Sequence, residues 1–331
     1  MSQLFSPLTL RSVTLPNRIA VSPMCQYSVT EEDGVPTNWH LVHLGSRAVG
    51  GAGLVIAEAT AVVPEGRISA QDTGIWNDAQ VEGWKPITKF IKEHGAVPGI
   101  QLAHAGRKAV GDWVPVAPTT EPFPGLNTPE KLESHSGIVK QFVDGALRAI
   151  EAGFEVLEIH AAHGYLLHEF YSPLTNEGSI EERIAPSVEV TAAVRAAVGP
   201  DVPVFVRISG SDWVEGGWTA DDSVVLAQAL KAAGADLIDV SSGGNTAQAD
   251  IPIGPGYQVP LAEAVRRKAD VPTGAVGLIT EAKQAEQVVT DGAADLVLLA
   301  RELLRDPYWP LHAAQQLGVE VRAPKQYARA F

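Results

Sequence analysis

Residues 138–165 read IVKQFVDGALRAIEAGFEVLEIHAAHGY. The first half repeats apolar residues at four-residue spacing: Ile138, Phe142 and Ala146, and beside them Val139, Val143 and Leu147. Two adjacent rows of that kind make one buried stripe along a helix. Gly153 follows where a helix commonly ends in a left-handed residue. Val156 to His160 is then a run of strand length. His160 ends it, and His163 and Tyr165 follow within five residues. Helix, glycine, strand and polar strand end together form one unit of an alternating α/β fold.

The same alternation runs along the whole chain. Strands are expected at Arg18–Val21, Leu54–Ala59, Pro98–Leu102, Val156–His160, Val204–Ile208, Leu237–Val240, Thr273–Val276 and Asp295–Leu299. Their nearly continuous hydrophobicity suits parallel strands covered on both faces. Helices are expected at Trp39–Val49, Val81–Glu93, Ile138–Ile150, Ser187–Val198, Asp221–Ala233, Leu261–Lys268, Glu281–Thr290 and Tyr308–Gln316. Gly50, Gly95, Gly153, Gly199, Gly234 and Gly292 fit left-handed C-caps, and Thr219 or Asp221, and Thr280, fit N-caps. Eight such units in series predict a closed (β/α)8 barrel, one domain over residues 1–331. An open doubly wound sheet binding a dinucleotide would carry G-x-G-x-x-G after its first strand. Here Gly51-Ala52-Gly53 runs into a strand and has no third glycine. Residues 1–17 are expected to form a hairpin closing the barrel bottom. Residues 106–136, with five prolines, are too long for an ordinary βα loop and read as a cap over the active site.

Composition excludes several functions. The 331 residues carry 25 basic and 39 acidic side chains, a formal charge of −14, which repels nucleic acid backbones. A single cysteine, Cys25, rules out an intrachain disulfide, a four-cysteine zinc site and an all-cysteine iron–sulfur cluster. The N-terminus shows no basic segment followed by an apolar run. Apolar stretches such as Leu296–Ala300 are too short to span a bilayer. The expectation is a cytoplasmic protein with neither nucleic acid nor membrane as partner.

In a barrel, polar groups at the C-terminal strand ends face the ligand. Those ends carry Pro23-Met24-Cys25-Gln26-Tyr27, Glu58-Ala59-Thr60, Gln101 and His104, His160 to Tyr165, Arg207, Ser241 to Gly244, Gly274 to Gly277, and Ala300-Arg301. Gly277 alone would be a turn glycine, and Arg301 alone a surface ion pair. At adjacent strand ends they suit a phosphate held by the loops after strands seven and eight. His160 and His163 lack an obvious third metal ligand; with Tyr165 at the barrel mouth they read as donors to an oxygen atom. A buried cysteine is usually a small hydrophobe, and Cys25 is singled out only by its place beside Met24 and Tyr27.

This set resembles the Old Yellow Enzyme family of flavin mononucleotide (FMN) ene-reductases, and most closely its bacterial, thermophilic-like subgroup. The resemblance runs from Leu4–Leu8 through Asn17-Arg18-Ile19, Pro23–Ser28, Trp39-His40, Gly45–Ala48, Gln101–Lys108, His160–Tyr165, Val206–Ser209, Gly274–Gly277 and Arg301–Pro307 to Gln326-Tyr327. No single motif decides it; the ordered set does. It implies that Pro23, Met24, Cys25, Ala59 and Gln101 line the isoalloxazine ring, with Arg207 near its N1/O2 edge. It implies that Ser242, Gly243, Gly277 and Arg301 hold the ribityl phosphate. Further, it implies that His160 and His163 bind the substrate's carbonyl or nitro oxygen, that Tyr165 is the proton donor, and that Tyr27 and Lys108 border the pocket. The activity implied is NADPH- or NADH-dependent reduction of activated C=C bonds in α,β-unsaturated aldehydes, ketones, maleimides or nitroalkenes.

In that subgroup a C-terminal arginine reaches a neighbouring subunit's site. Arg329 stands at the matching place, which implies a homodimer, or a tetramer of paired dimers, with the 318–331 tail at the interface. The chain departs from the family at Glu177–Arg183, where an R-T-D-x-Y-G-G stretch is usual and the loop looks shortened. Related barrels that reduce dienoyl thioesters carry an iron–sulfur cluster, which one cysteine forbids. A barrel aldolase would need a Schiff-base lysine or a metal set at the strand ends, and neither is evident. The remaining alternative is a flavin-binding redox sensor using Cys25.

Overall fold

The computed structural model describes residues 2–321 and 323–331. Its strands are β1 (Leu8–Leu10), β2 (Val13–Leu15), β3 (Ile19–Val21), β4 (Leu54–Ala61), β5 (Val97–Ala103), β6 (Val116–Ala117), β7 (Glu130–Lys131), β8 (Val156–Ala161), β9 (Val204–Ser209), β10 (Leu237–Ser241), β11 (Thr273–Ala275) and β12 (Leu296–Leu299). Eight of them close a parallel barrel in the order β3-β4-β5-β8-β9-β10-β11-β12 and back to β3. Every expected strand lies within two residues of an observed one at both ends.

The helices are α1 (Asn38–Val49), α2 (Asp78–Glu93), α3 (Ser136–Glu151), α4 (Leu166–Tyr171), α5 (Ile180–Val198), α6 (Ala220–Ala232), α7 (Val259–Ala269), α8 (Ala282–Thr290), α9 (Arg301–Arg305) and α10 (Trp309–Gln316). Two start three or more residues earlier than their apolar pattern. Asn77 and Gln80 form a reciprocal capping box, so α2 begins at Asp78 and not Val81. Ser179 and Glu182 do the same for α5, which begins at Ile180 and runs through Pro186 in place of starting at Ser187. Thr219, not Asp221, caps α6. Thr280 does not cap α8; Glu281 occupies that position without a side-chain bond.

Gly95, Gly153, Gly199, Gly234 and Gly292 have positive φ, as expected. Gly50 does not: its φ is −74°, and the left-handed residue is Gly51 at +92°. Gly50 is needed for a different reason, because a Cβ there would lie 1.8 Å from the Pro307 carbonyl oxygen. Helices α4 and α9 were not expected; at six and five residues both are shorter than two turns, too brief for a helical period to show in the sequence.

The inward rows of the barrel change character with height. Val156, Phe205, Leu237, Leu296 and Leu298 pack with Ala20, Leu54 and Ile56 in one buried cluster at the lower end. The β1–β2 hairpin closes that end, since its Leu10 and Leu15 belong to the same cluster. Two residues further along their strands stand Glu158, Arg207 and Asp239, and two further still His160, Ser209 and Ser241. A strand's side chains alternate faces, so these polar residues continue the inward rows upward. Apolar filling thus fixes the lower barrel and leaves the upper end to polar groups.

Candidate active site

A bulge in β4 shapes the first wall. Its register against β5 shifts between Ala57 and Ala59, leaving Glu58 as the extra residue. Bulges of this kind re-aim side chains beside functional sites. Glu58 is buried, and its Oε2 lies 3.4 Å from His40 Nε2. Ala59, the next residue, is also buried. Across from it runs Pro23-Met24-Cys25-Gln26-Tyr27, half-buried until Tyr27, which is 52% exposed with φ of +51°. Burial, followed by the Asp72 and Glu58 carboxylates, pushes the Cys25 thiol well above its ordinary range. A thiol so held stays protonated and reacts slowly with oxidants, which weighs against the redox-sensor reading.

The floor is a polar layer that sequence reasoning found only in part. Gln101 Nε2 donates to Glu158 Oε1 at 2.8 Å. Arg207 donates to Ser22 Oγ at 3.0 Å and lies 3.1 Å from Asp239 Oδ2. Burial, then the charge of Asp239, pushes the Glu158 carboxyl up to about 8. Glu158 Oε2 and both Asp239 oxygens otherwise have no hydrogen-bond partner among the described residues. A proton kept on Glu158 and donated to Asp239 satisfies both, and leaves Asp239 ionised to neutralise Arg207. Counting two residues back from His160 and Ser241 would have found Glu158 and Asp239.

Three aromatic side chains gather on one lip. The His160 ring centroid lies 5.2 Å from that of His163 and 5.1 Å from that of Tyr165. His163 has φ of +61° and is followed by Gly164 at +71°. A left-handed non-glycine costs about 1–2 kcal/mol and persists only where its surroundings fix it. Gly164 is required, since a Cβ would lie 2.2 Å from the Gly244 carbonyl oxygen. Burial, and then Arg207, lowers the pKa of both histidines well below the ordinary value, so both rings are neutral. His160 Nδ1 accepts the Ala162 N–H at 3.3 Å, which puts the proton on Nε2. His163 Nε2 lies 2.7 Å from Ser241 Oγ, so Nδ1 is its nitrogen left for a ligand. Burial pushes the Tyr165 phenol well above its ordinary value, so it keeps its proton.

Lys108 closes this side. Its Nζ donates to the carbonyls of His163 (2.8 Å) and Gly244 (3.0 Å) and lies 4.9 Å from the Tyr165 ring centroid. Burial lowers it to about 8. Phe123, from the 106–136 segment, sits 4.8 Å from the same Nζ and 5.8 Å from the Arg107 guanidinium.

Gly277 and Arg301 meet at a separate cavity of about 160 Å³, lined also by Ser241, Tyr257 and Gln258. Ser242 and Gly243 follow directly on β10, whose last residue Ser241 lines it. Gly277 has φ of +123°, and a Cβ there would lie 2.9 Å from Gln258 Nε2, so only glycine keeps this cradle open. Arg301 is exposed at its edge. Ser242 is buried and donates to Gln258 Oε1 at 2.6 Å, a partner that sequence reasoning missed. A larger cavity of about 600 Å³ lies at the opposite end, between residues preceding the strands, such as Asn17 and Ala52, and tail residues 323–326. None of the chemical groups above reaches it, and size alone does not mark the site. Arg329 is exposed. Beside it Tyr327 and Phe331 pack on Tyr308 of the same chain, with ring centroids 5.9 and 6.4 Å apart. Arg322, also in that tail, lies outside the described residues.

A closed parallel barrel with a small cavity after β11 and β12, and with two neutral histidines and a protonated tyrosine after β8, suits a barrel oxidoreductase of the flavin type. The sequence model described as the NADH:flavin oxidoreductase / NADH oxidase family matches residues 3–320, and the chain belongs to that family. It is 51% identical over 339 residues to an NADPH dehydrogenase of Geobacillus sp. (strain WCH70), covering 100% of this chain and 99% of that one. The NADPH dehydrogenase of Listeria innocua serovar 6a is 48% identical, with full coverage of both. Among solved structures, morphinone reductase superposes with a TM-score of 0.82 at 29% identity, covering 98% of this chain and 92% of that one. An old yellow enzyme homologue from Zymomonas mobilis gives 0.84 at 27%, covering 96% and 94%. The expected kinship with the Old Yellow Enzymes therefore holds, and the chain is an oxidoreductase that uses FMN and a nicotinamide reductant. The Gly277 cradle, the exposed Arg301 guanidinium and the buried Arg207 beneath the open barrel end fit that cofactor. Among the described residues no helix is long and apolar enough to cross a membrane, and no group of three or more metal-binding side chains occurs.

Proposed function

We propose that this chain reduces activated C=C bonds, in enals, enones, maleimides or nitroalkenes, at the open end of the barrel. The observation that carries this is the convergence of two neutral histidines and a protonated tyrosine on one lip, with the His160 ring 5.2 Å from that of His163 and 5.1 Å from that of Tyr165. FMN, when bound, supplies the hydride, having taken it from NADPH or NADH. His160 and His163 donate to the substrate oxygen, and Tyr165 protonates the α-carbon. Pro23, Met24, Cys25, Ala59, Gln101 and Arg207 form the ring site, while Ser242, Gly243, Gly277 and Arg301 hold the phosphate. Tyr27 and Lys108 border the substrate pocket, with residues 106–136 over it.

The purified protein is expected to be yellow and to release FMN on heat denaturation. Anaerobic NADPH should bleach it, and 2-cyclohexenone should restore the colour. Release of FAD or of no flavin would overturn the cofactor assignment. Bleaching that no activated alkene reverses would overturn the substrate assignment.

The tail completes the reading. Tyr327, Arg329 and Phe331 form an aromatic–arginine group of the kind enriched at interfaces. Arg329 is proposed to enter the partner's pocket in a homodimer, or in a tetramer of such dimers. Deleting residues 327–331 should then raise KM for the alkene and weaken dimerisation while FMN stays bound. Sedimentation and steady-state kinetics check this; an unchanged dimer with unchanged KM refutes it.

A further inference from the structure

The turn carrying the donors is held by a buried pair that touches no reacting atom. Its backbone N–H groups are all taken. Ala162 donates to His160 Nδ1, His163 to Ser209 Oγ at 2.9 Å, Gly164 to His168 Nδ1 at 2.8 Å, Tyr165 to the Ala162 carbonyl at 3.2 Å, and Leu166 to the His104 carbonyl at 3.1 Å. The acceptor for Gly164 is a side chain of α4 with no solvent exposure. Because His168 Nδ1 accepts an amide N–H, its proton is on Nε2. That nitrogen lies 3.0 Å from Asp212 Oδ1, and neither atom has another hydrogen-bond partner among the described residues. The second Asp212 oxygen accepts from Ser172 Oγ at 2.6 Å and from the Trp218 N–H at 2.9 Å. Asp212 is therefore fixed from two elements, and it fixes the tautomer and tilt of His168.

We propose that His168, oriented by Asp212, is a positioning residue for the reduction. Its Nδ1 pins the Gly164 N–H, and so sets the left-handed step that separates His163 from Tyr165. Residues 163 and 165 flank Gly164 directly, so a rotation of that peptide changes the spacing of the two side chains read as oxygen donor and proton donor. Misplacing reacting groups by about 1 Å can cost on the order of 100-fold in rate. The proposal rests on the roles given above to His163 and Tyr165.

Two variants of the FMN-loaded enzyme separate acceptor from space-filler. His168→Asn places an oxygen where Nδ1 stands and gives up the contact with Asp212. His168→Gln reaches towards Asp212 and leaves Gly164 without its acceptor. The measurements are kcat and KM for 2-cyclohexenone, the rate of bleaching by NADPH, FMN content, and the Kd of a para-substituted phenol read from its visible absorption with the bound flavin. His168→Gln is expected to lower kcat tenfold or more and to weaken phenol binding, with FMN content and NADPH bleaching retained. His168→Asn should recover kcat to within about threefold of wild type. A glutamine variant as fast as wild type, or an asparagine variant as slow as the glutamine one, overturns the proposal. Should the glutamine variant not fold, a tenfold loss in His168→Asn alone overturns it. Wild-type enzyme that neither binds phenol nor reduces the enone would bring down the functional reading first, and this proposal with it.

Discussion

Replacing both His160 and His163 by alanine is expected to lower kcat for 2-cyclohexenone on the order of 1000-fold while NADPH still bleaches the bound FMN. As hydride arrives at the β-carbon, the alkene electron pair moves onto the carbonyl oxygen. That oxygen is where negative charge develops, and donors aimed at it act more strongly on the transition state than on the substrate. Removing one such donor typically costs about 3 kcal/mol, or 100- to 1000-fold. The two rings act on the same atom, so their losses will not simply add. Both histidines are neutral because burial opposes their charged forms. A neutral ring can donate without placing a cation in the pocket. The Gly277–Arg301 cradle lies after other strands, so cofactor retention should be spared. Phenols imitate the charged oxygen of an enolate and provide a test free of turnover. Their Kd, titrated against the visible spectrum, should rise at least tenfold in the double variant. Phenol binding as tight as in wild type would show that the histidines do not form the oxygen site.

Much of this arrangement was legible because a barrel writes its height into each strand. The row Val156, Glu158, His160 passes from filler to polar floor to donor at a spacing of two, and Leu237, Asp239, Ser241 repeats it. Strand limits were therefore visible, and so were the strand-end groups. The starts of α2 and α5 were not, because their first turns are polar and their entry is set by capping boxes, not by an apolar stripe. Helix α4 has six residues and follows the donor turn without a break, so Leu166–Tyr171 read as more loop. With α4 unseen, the acceptor role of His168 was out of reach. The Glu58 bulge has no signature in sequence, since a run of buried residues looks the same with or without an extra member. The environment of Cys25 was hidden for another reason. Its thiol is held protonated by burial first and by Asp72 second, and Asp72 comes from a loop 47 residues later in the chain (72 − 25) that only the closed fold brings to it.

Replacing Tyr165 by phenylalanine should divide substrates by the basicity of what hydride transfer leaves behind. With an enone the product is an enolate, whose α-carbon must gain a proton before the site is free. Tyr165 is the proton-bearing group on the lip, 5.1 Å from the His160 ring centroid to centroid. Burial above all holds its phenol well above the ordinary value. Ionisation is thereby suppressed throughout the neutral range, and the donor is always loaded. An enolate carbon is a stronger base than a phenolate, so the transfer still runs downhill. General acids of this kind contribute about 100- to 10,000-fold. The variant should accordingly lose on the order of 100-fold in enone turnover at saturating NADPH. With a nitroalkene the product is a nitronate, a weak enough base to leave unprotonated and collect its proton from water. Turnover of a β-nitrostyrene should then stay within about threefold of wild type, and the nitronate should be detectable by its absorbance during the reaction. Equal losses for both substrate classes would remove Tyr165 from proton transfer and leave it a part of the pocket wall.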